Sequence, residues 1–522
     1  MRRKTPVVAA LLTLAACLVL AACGSRRPMS DFVAAGSAAN GGTQTNQGSS
    51  TGAIAQPGTT GGSAAPGVVA NPGSVGGPVS GGPVTSGGNT AGGNNGGTPQ
   101  GGSSSAPSSG GQNTASDVGV TATTIDVGNI VTKSGSFGPD QFTAFYYGAA
   151  AYFDYLNAHG GINGRRVNFK TCDDTGTASG NSDCARNLAG NGKNGVFAFV
   201  ANDCLVCAGL KYISDLKIPQ VGGVAIDFYD YALPYVWRYS GEMYPTDGKH
   251  IGYKGNLYEG TQMFHYFKDK MGMKSAAVVW YDNSAQSKEA GESFIKALQA
   301  DGVKAYGYGE NVALPQWDSA VIDMKAKGIQ FMFDSIDIGG NQNLCKSIDS
   351  NHLVLKAKVS TISTWAQSVG TTFDYPCRTY IYSSDIPGSL GYDQTDNPEI
   401  AKFRAAMHQY FPERDNNIFE WNVDGWASAM WFADGAASCG ADLTRTCLIK
   451  YLNSPKPYGA HGIWYPRNNE KYNFETKKTL NQCVSIAHWV ESKKSFITVG
   501  DWHNTCYTTP YIPYQAPTSS SS

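Results

Sequence analysis

Between Ala151 and Asp174 the chain passes from helix to strand through a strong stop. Tyr152, Phe153, Tyr155 and Leu156 close an amphipathic helix that begins near Phe142. Gly160-Gly161 end it, because glycine takes the left-handed conformation past a helix terminus at little cost. Asn163-Gly164 then turn the chain, and a strand from Val167 to Thr171 runs onto Asp173-Asp174. A helix that returns to a strand beside an earlier strand is half of an α/β domain.

The alternation continues on both sides. Strands are expected at Thr124–Val131, Val196–Ala201 and Ile218–Val221, with helices at Gln141–Asn157, Ser182–Leu188 and Leu210–Leu216. Trp237–Gly241 reads as a crossing segment. A second series follows, with Thr246–Met271 mostly helix and strands at Ala276–Tyr281, Val303–Gly307, Phe331–Ser335 and Lys358–Thr361. Helices are expected at Ser287–Asp301, Trp317–Lys327 and Leu344–Asn351, and the chain returns near Thr379–Ser384. Three more helices, Ile400–Tyr410, Val423–Ser438 and Thr444–Leu452, precede strands between Gly462 and Trp502, and residues after Pro510 read as disordered. Repeated βα units imply parallel sheets covered on both faces, with ligands beyond the carboxyl ends of the strands.

The first part of the chain cannot fold this way. Residues 1–23 read as a secretory signal, with Arg2, Arg3 and Lys4 ahead of an apolar run from Val7 to Leu20. Leu20-Ala-Ala-Cys23 is similar to a bacterial lipobox, in which the Cys23 thiol is lipidated; a plain cleaved signal is the alternative. Residues 24–116 are Gly, Ser, Thr, Asn, Pro and Ala with almost no aromatics, too little apolar surface to offset chain entropy. A flexible coil of roughly 90 residues spans about 50 Å end to end, which suits a tether. Charge is balanced, with 40 basic against 41 acidic residues, so nothing points to nucleic acid as a partner.

Twelve cysteines are present, and Cys17 and Cys23 belong to the signal. The other ten are Cys172, Cys184, Cys204, Cys207, Cys345, Cys377, Cys439, Cys447, Cys483 and Cys506. An even number in an exported chain suggests five disulfides, and pairing of sequence neighbours is the simplest arrangement. Cys204-Leu-Val-Cys207 is also the spacing of a redox or metal motif, but no second cysteine or histidine pair stands nearby at zinc spacing.

The segment from Tyr152 to Asp174, with Gly119–Gly128 upstream, resembles bacterial extracellular solute-binding proteins of the leucine/isoleucine/valine-binding type. The resemblance implies an α/β fold of two Rossmann-like lobes with parallel-sheet cores joined by a three-strand hinge. Lobe 1 would comprise 117–240 and 382–457, lobe 2 241–381 and 458–508, and 509–522 a disordered tail. It also implies a small-molecule solute bound between the lobes, and hinge closure over it. Carried over by motif, the ligand-binding candidates in lobe 1 are Ser134, Gly135 and Phe137 after the first strand, and Asn202, Asp203 and Cys204 after the third. Val224 and Ala225 follow the fourth strand. In lobe 2 they are Gln286, Asp337 and Trp365. Asp203 departs from the family pattern: as a carboxylate it would repel an amino-acid carboxylate, or else it caps the next helix outside the pocket. The family's threonine after Val221, its aromatic near Gln286 and its acid near Trp365 are missing, which opens the ligand class to amides and to other small polar or aromatic molecules.

No catalytic motif fits its context. Gly190-Asn-Gly-Lys-Asn-Gly195 matches a dinucleotide fingerprint but precedes a strand instead of following one. The eight histidines are scattered, so no metal and no cofactor is expected. The expectation is a non-enzymatic receptor, lipid-anchored on the extracellular face of the membrane, that delivers solute to the permease subunits of an ABC importer. The alternative is a sensory or adhesive surface lipoprotein on the same fold.

Overall fold

The computed structural model describes residues 112–134, 139–204, 206–224, 233–239, 250–251, 254–386, 388–466 and 479–515. The signal, Cys23, most of the tether, and Gly135, Phe137 and Ala225 lie outside these residues.

The first sheet has the order β2-β1-β3-β4-β5, all parallel. Its strands are β1 (Thr124–Val131), β2 (Arg166–Asp173), β3 (Ala198–Val200), β4 (Gln220–Val221) and β5 (Val236–Trp237). Between them run α1 (Pro139–Ala158), α2 (Ala178–Ala189) and α3 (Leu210–Asp215). β1 buries nearly every residue, as a central parallel strand covered on both faces must. The segment read as a crossing at Trp237 instead begins as β5, because the Trp237 carbonyl accepts from Gly222 N (2.7 Å) and extends the ladder.

β6 (Asn256–Gly260) and α4 (Gln262–Met271) come next. Of the helix expected over Thr246–Met271, only Gln262–Met271 is helical among the described residues. Lys254 (φ 52°) and Gly255 (φ 79°) turn the chain ahead of a strand. β7 (Ser275–Tyr281), α5 (Ala285–Ala300), β8 (Lys304–Glu310), α6 (Trp317–Ala326), β9 (Phe331–Ser335) and α7 (Ile338–Ser350) continue the alternation. β10 (Ala357–Thr361), the short α8 (Val369–Thr372) and α9 (Tyr375–Arg378), and β11 (Ile381–Asp385) complete it.

The chain then returns to pack α10 (Pro398–Tyr410), α11 (Glu420–Ser438) and α12 (Arg445–Leu452) with the first sheet's elements. α11 is buried along nearly its whole length. It lies so close to α1 that a Cβ on Gly425 would meet Phe145 O at 2.2 Å and one on Gly148 would meet Asn422 O at 1.9 Å. Glycine at both points lets the two backbones touch. Tyr152 and Trp426 then meet edge to face at 4.9 Å.

β12 (Thr479–Cys483), β13 (Ser485–Val490), β14 (Ser495–Gly500) and β15 (Cys506–Gln515) end the described chain. The second sheet has the order β14-β13-β11-β10-β9-β7-β8, parallel except for β13 and β14. A small antiparallel sheet, β12-β15-β6, lies beside it. Order thus continues five residues past Pro510, where the sequence reading ends it. Cys506–Pro510 pair with β12 and Tyr511–Gln515 with β6, so each half of β15 has one open edge that tolerates a proline lacking its N–H.

The architecture is α/β, two lobes with parallel-sheet cores. The chain passes between them three times: after β5, after β11 and after α12. The ten cysteines form five disulfides between sequence neighbours: 172–184, 204–207, 345–377, 439–447 and 483–506. Buried Arg165, just ahead of β2, donates to four backbone carbonyls: Thr121 (2.8 Å), Thr114 (3.1 Å), Gly440 (3.4 Å) and Ala441 (2.7 Å). Ser116 Oγ donates to Leu443 O (2.6 Å) and Asn113 Nδ2 to Asn163 O (2.8 Å). The N-terminal stretch is thereby sewn to the β2 and α11 ends.

Candidate functional site

Parallel strands direct their carboxyl ends, and the loops that follow, to one side of a sheet. In lobe 1 the loop after β1 carries Ser134. Its Oγ donates to Asp173 Oδ2 (2.7 Å) at the end of β2, and Lys133 N and Ser134 N reach Asp173 Oδ1. Burial pushes the Asp173 carboxyl up, but hydrogen bonds from Ser134 Oγ and from the N–H groups of Thr175, Lys133 and Ser134 outweigh it and hold its pKa low. Ser134 is therefore oriented by a charged carboxylate.

Asn202, Asp203 and Cys204 follow β3 and are all buried. Asn202 Oδ1 accepts from Ile130 N (2.8 Å), which fixes the loop to β1. Asp203 bridges Val131 through its backbone, while its carboxyl oxygens have no hydrogen-bond partner among the described residues. Burial, then the Asp174 charge, push its carboxyl well above the usual range, and Arg238 opposes them. This upward push favours the protonated form of Asp203 and weakens the repulsion expected of it from sequence. Asp203 is also not the cap of α3, whose N-cap is Gly209. Cys204 is oxidised to Cys207.

After β4, Gly222 (φ 68°) and Gly223 (φ 75°) both hold the left-handed conformation. A Cβ on Gly223 would meet Asn202 O at 2.1 Å, and Ser428 Oγ accepts from Gly223 N (3.1 Å). Buried Arg238 donates to Gly222 O (2.8 Å). Val224 is half-buried against the lobe 1 core.

In lobe 2, Tyr281 ends β7 and its hydroxyl donates to Asp337 Oδ1 (2.7 Å) after β9. Asp337 also caps α7, accepting from Gly340 N (3.0 Å). Gln286 lies in the first turn of α5. Its neighbour Ser287 ties the ends of β7 and β9 together, accepting from Tyr281 N and donating to Ser335 O. Trp365 is fully buried, with Phe496 beside it and its carbonyl accepting from Glu420 N (2.9 Å). It joins the loop after β10 to α11 across the lobes.

The sequence reading does not name the polar seam between the lobes. Ser389 donates through N to Asp385 Oδ2 (2.8 Å) and through Oγ to Asp424 Oδ1 (2.7 Å). Trp464 Nε1 also reaches Asp424 Oδ1 (2.9 Å), and Tyr239 OH reaches Asp385 Oδ1 (3.4 Å). Burial, then the Asp424 and Asp385 charges, push the Glu420 carboxyl well up, and burial and Asp385 do the same to Asp424. The signal in the sequence is the i,i+4 acid pair Glu420 and Asp424 in a helix rich in Trp, Ala and Phe. Among the described residues, no His, Cys, Asp and Glu group is arranged to hold a metal ion.

A family profile described as periplasmic binding protein matches residues 124–494. The chain belongs to the periplasmic binding protein family. Among solved structures, this periplasmic binding protein is similar to a fatty acid ABC transporter substrate-binding protein from Thermomonospora curvata. That match has 16% identity and TM-score 0.58, over 75% of this chain and 94% of the other. It is similar to an ABC transporter solute-binding protein from R. palustris in complex with benzoate (16%, TM-score 0.52, 75% and 98%). It is similar also to a leucine-binding protein from Thermotoga maritima (12%, TM-score 0.55, 72% and 98%). At these identities the likeness shows the fold. No curated protein sequence matches significantly.

Proposed function

We propose that this protein is a receptor that binds a small solute between its lobes and delivers it to the permease subunits of an ABC importer. Cys23 would carry the lipid that holds it at the extracellular face of the membrane, with residues 24–116 as the tether. The reading is carried by one observation: both parallel sheets end in polar loops, on a chain whose family match spans both lobes. The proposed ligand contacts are Ser134, Gly135, Phe137, Asn202, Asp203, Val224 and Ala225 from lobe 1, and Gln286, Asp337 and Tyr281 from lobe 2. Cys204 and Trp365 support the loops that carry them.

With its carboxyl pushed toward the protonated form and the Arg238 charge close by, Asp203 suits an acidic ligand as well as an amide. Two similar structures have fatty acid and benzoate in their descriptions, so carboxylic acids with apolar or aromatic tails stand first in the test, ahead of amino acids and amides. The experiment is a thermal-shift panel on residues 112–522. A ligand at 100 times its Kd adds about 2.7 kcal/mol, or several degrees at this size. A saturable shift with one class supports import of that class. No shift with acids, amides, amino acids, sugars or polyols would sink the receptor reading.

A further inference from the structure

We propose that the C-terminal segment Asp501–Gln515 is a hinge clamp: it holds all three interlobe crossings against one another and so couples their movement. The proposal rests on the two-lobed fold and is independent of any ligand. β14 and β15 also lie beyond the residues matched by the family profile, which end at 494.

The contacts reach each crossing in turn. The first crossing enters lobe 2 at β6, and Tyr511–Gln515 pair with it from Gly260 back to Asn256. The third enters lobe 2 at β12, and Cys506–Pro510 pair with that strand. The disulfide Cys483–Cys506 and the bond from Thr509 Oγ1 to Gln482 Oε1 (2.8 Å) fasten this ladder. One continuous strand therefore joins the chain ends of two crossings.

Trp502 holds the second and third crossings together. Its Nε1 donates to Ile463 O (3.3 Å). A side chain on Gly388 would meet Trp502 Cβ at 3.4 Å and Cys483 Cβ at 3.5 Å. Gly388 and its neighbours in turn pair with the third crossing: Tyr465 N donates to Gly388 O (3.1 Å) and Leu390 N to Ile463 O (2.8 Å). Gln394 Nε2 donates to Asp501, adding a second tie to that segment.

Lobe rotation requires crossing segments to absorb changes in φ and ψ. Segments held in one hydrogen-bonded unit cannot absorb them separately, so the clamp confines motion to a single axis and limits its amplitude. The test is amide hydrogen exchange and small-angle X-ray scattering on Trp502→Ala and on the Cys483→Ser/Cys506→Ser pair. Exchange in Leu257–Gly260, Ser389–Leu390 and Ile463–Tyr465 should rise about tenfold or more. The radius of gyration should increase, while the amides of β1 and β9 stay protected. A rise confined to β12 and β15 with unchanged scattering would overturn the proposal, and so would a uniform rise across both lobes. Trp502→Ala keeps the disulfide, so it decides the matter if the cysteine variant does not fold.

Discussion

Two buried aspartates occupy similar places in the two lobes and live in opposite electrostatic worlds. Asp334 on β9 accepts from Lys358 Nζ (2.7 Å), Ser360 Oγ (2.7 Å) and Asn341 Nδ2 (3.0 Å), and both members of the ion pair have fully buried side chains. Asp203 after β3 is equally buried, yet its carboxyl oxygens have no hydrogen-bond partner among the described residues. Lobe 2 stabilises its charge with a lysine, and burial pulls that lysine's pKa down while Asp334 pulls it back up. In lobe 1, burial and the Asp174 charge push the Asp203 carboxyl toward its protonated form. The ion pair also reaches the site, because Asn341 donates to Ile336 O and Asp337 O (3.2 and 3.1 Å) and so fixes the loop that carries Asp337. The comparison teaches that lobe 2 presents a preset loop, while lobe 1 keeps a buried carboxyl with no hydrogen-bond partner among the described residues.

The hardest way to break the comparison is to make Asp334 resemble Asp203. Lys358→Met strands a buried carboxylate and should cost about 3–5 kcal/mol in urea unfolding. Adding Asp334→Leu should restore most of it; failure to restore would show that Lys358 acts through packing instead of charge.

Glu259 extends the lobe 1 solution into the small sheet. Its carboxyl is buried with Ser293 Oγ as a donor (3.1 Å), and burial pushes its pKa up to about 7. A raised acid stabilises most below its unfolded pKa, and that stability is lost as pH climbs through the folded one. Between pH about 4.5 and 7, Glu259 should therefore remove about 3 kcal/mol, and Glu259→Gln should abolish that part of the slope. Stability curves of the two proteins that stay parallel across this window would refute it.

Asp203 has the same sign, with its window starting at the ordinary aspartate value and extending upward. Asp203→Asn should raise stability in urea unfolding at pH 7 and leave it unchanged at pH 3. Destabilisation at pH 7 would mean the carboxylate is charged and paired. Smallest is Tyr281→Phe, which keeps the ring in the lobe 2 core but loses the bond to Asp337 and should cost about 1 kcal/mol; a loss of 3 kcal/mol or more would show that the hydroxyl does more than hold Asp337.

Legibility in the sequence followed the range of the interaction. Thr124–Val131 and Phe331–Ser335 have the observed bounds because their own apolar residues mark them locally. The helix stop at Gly160-Gly161 is equally local. β6 was hidden by helix-forming neighbours, and only the left-handed pair Lys254-Gly255 marks its start. β15 was hidden by Pro510 and Pro513, which look like breakers until each half is seen to pair on one side. Glu420 and Asp424 are four apart on one helix, but Asp385 comes from a distant segment, so spacing alone could not bring the three together. For Asp203 the sequence supplied the residue but not its protonation, which is set by burial and by Asp174, another loop's residue.

The stitching around Arg165 has a mechanical consequence. Asn113, Thr114 and Ser116 are fastened at the amino ends of β1 and β2, and those strands carry the chain about 25 Å to the loops bearing Ser134 and Asp173. Tension on the incoming chain is therefore received at the far pole of lobe 1. It spreads over several carbonyls of the β2 and α11 ends, and the edge bearing Ser134 and Asp173 is spared from the load.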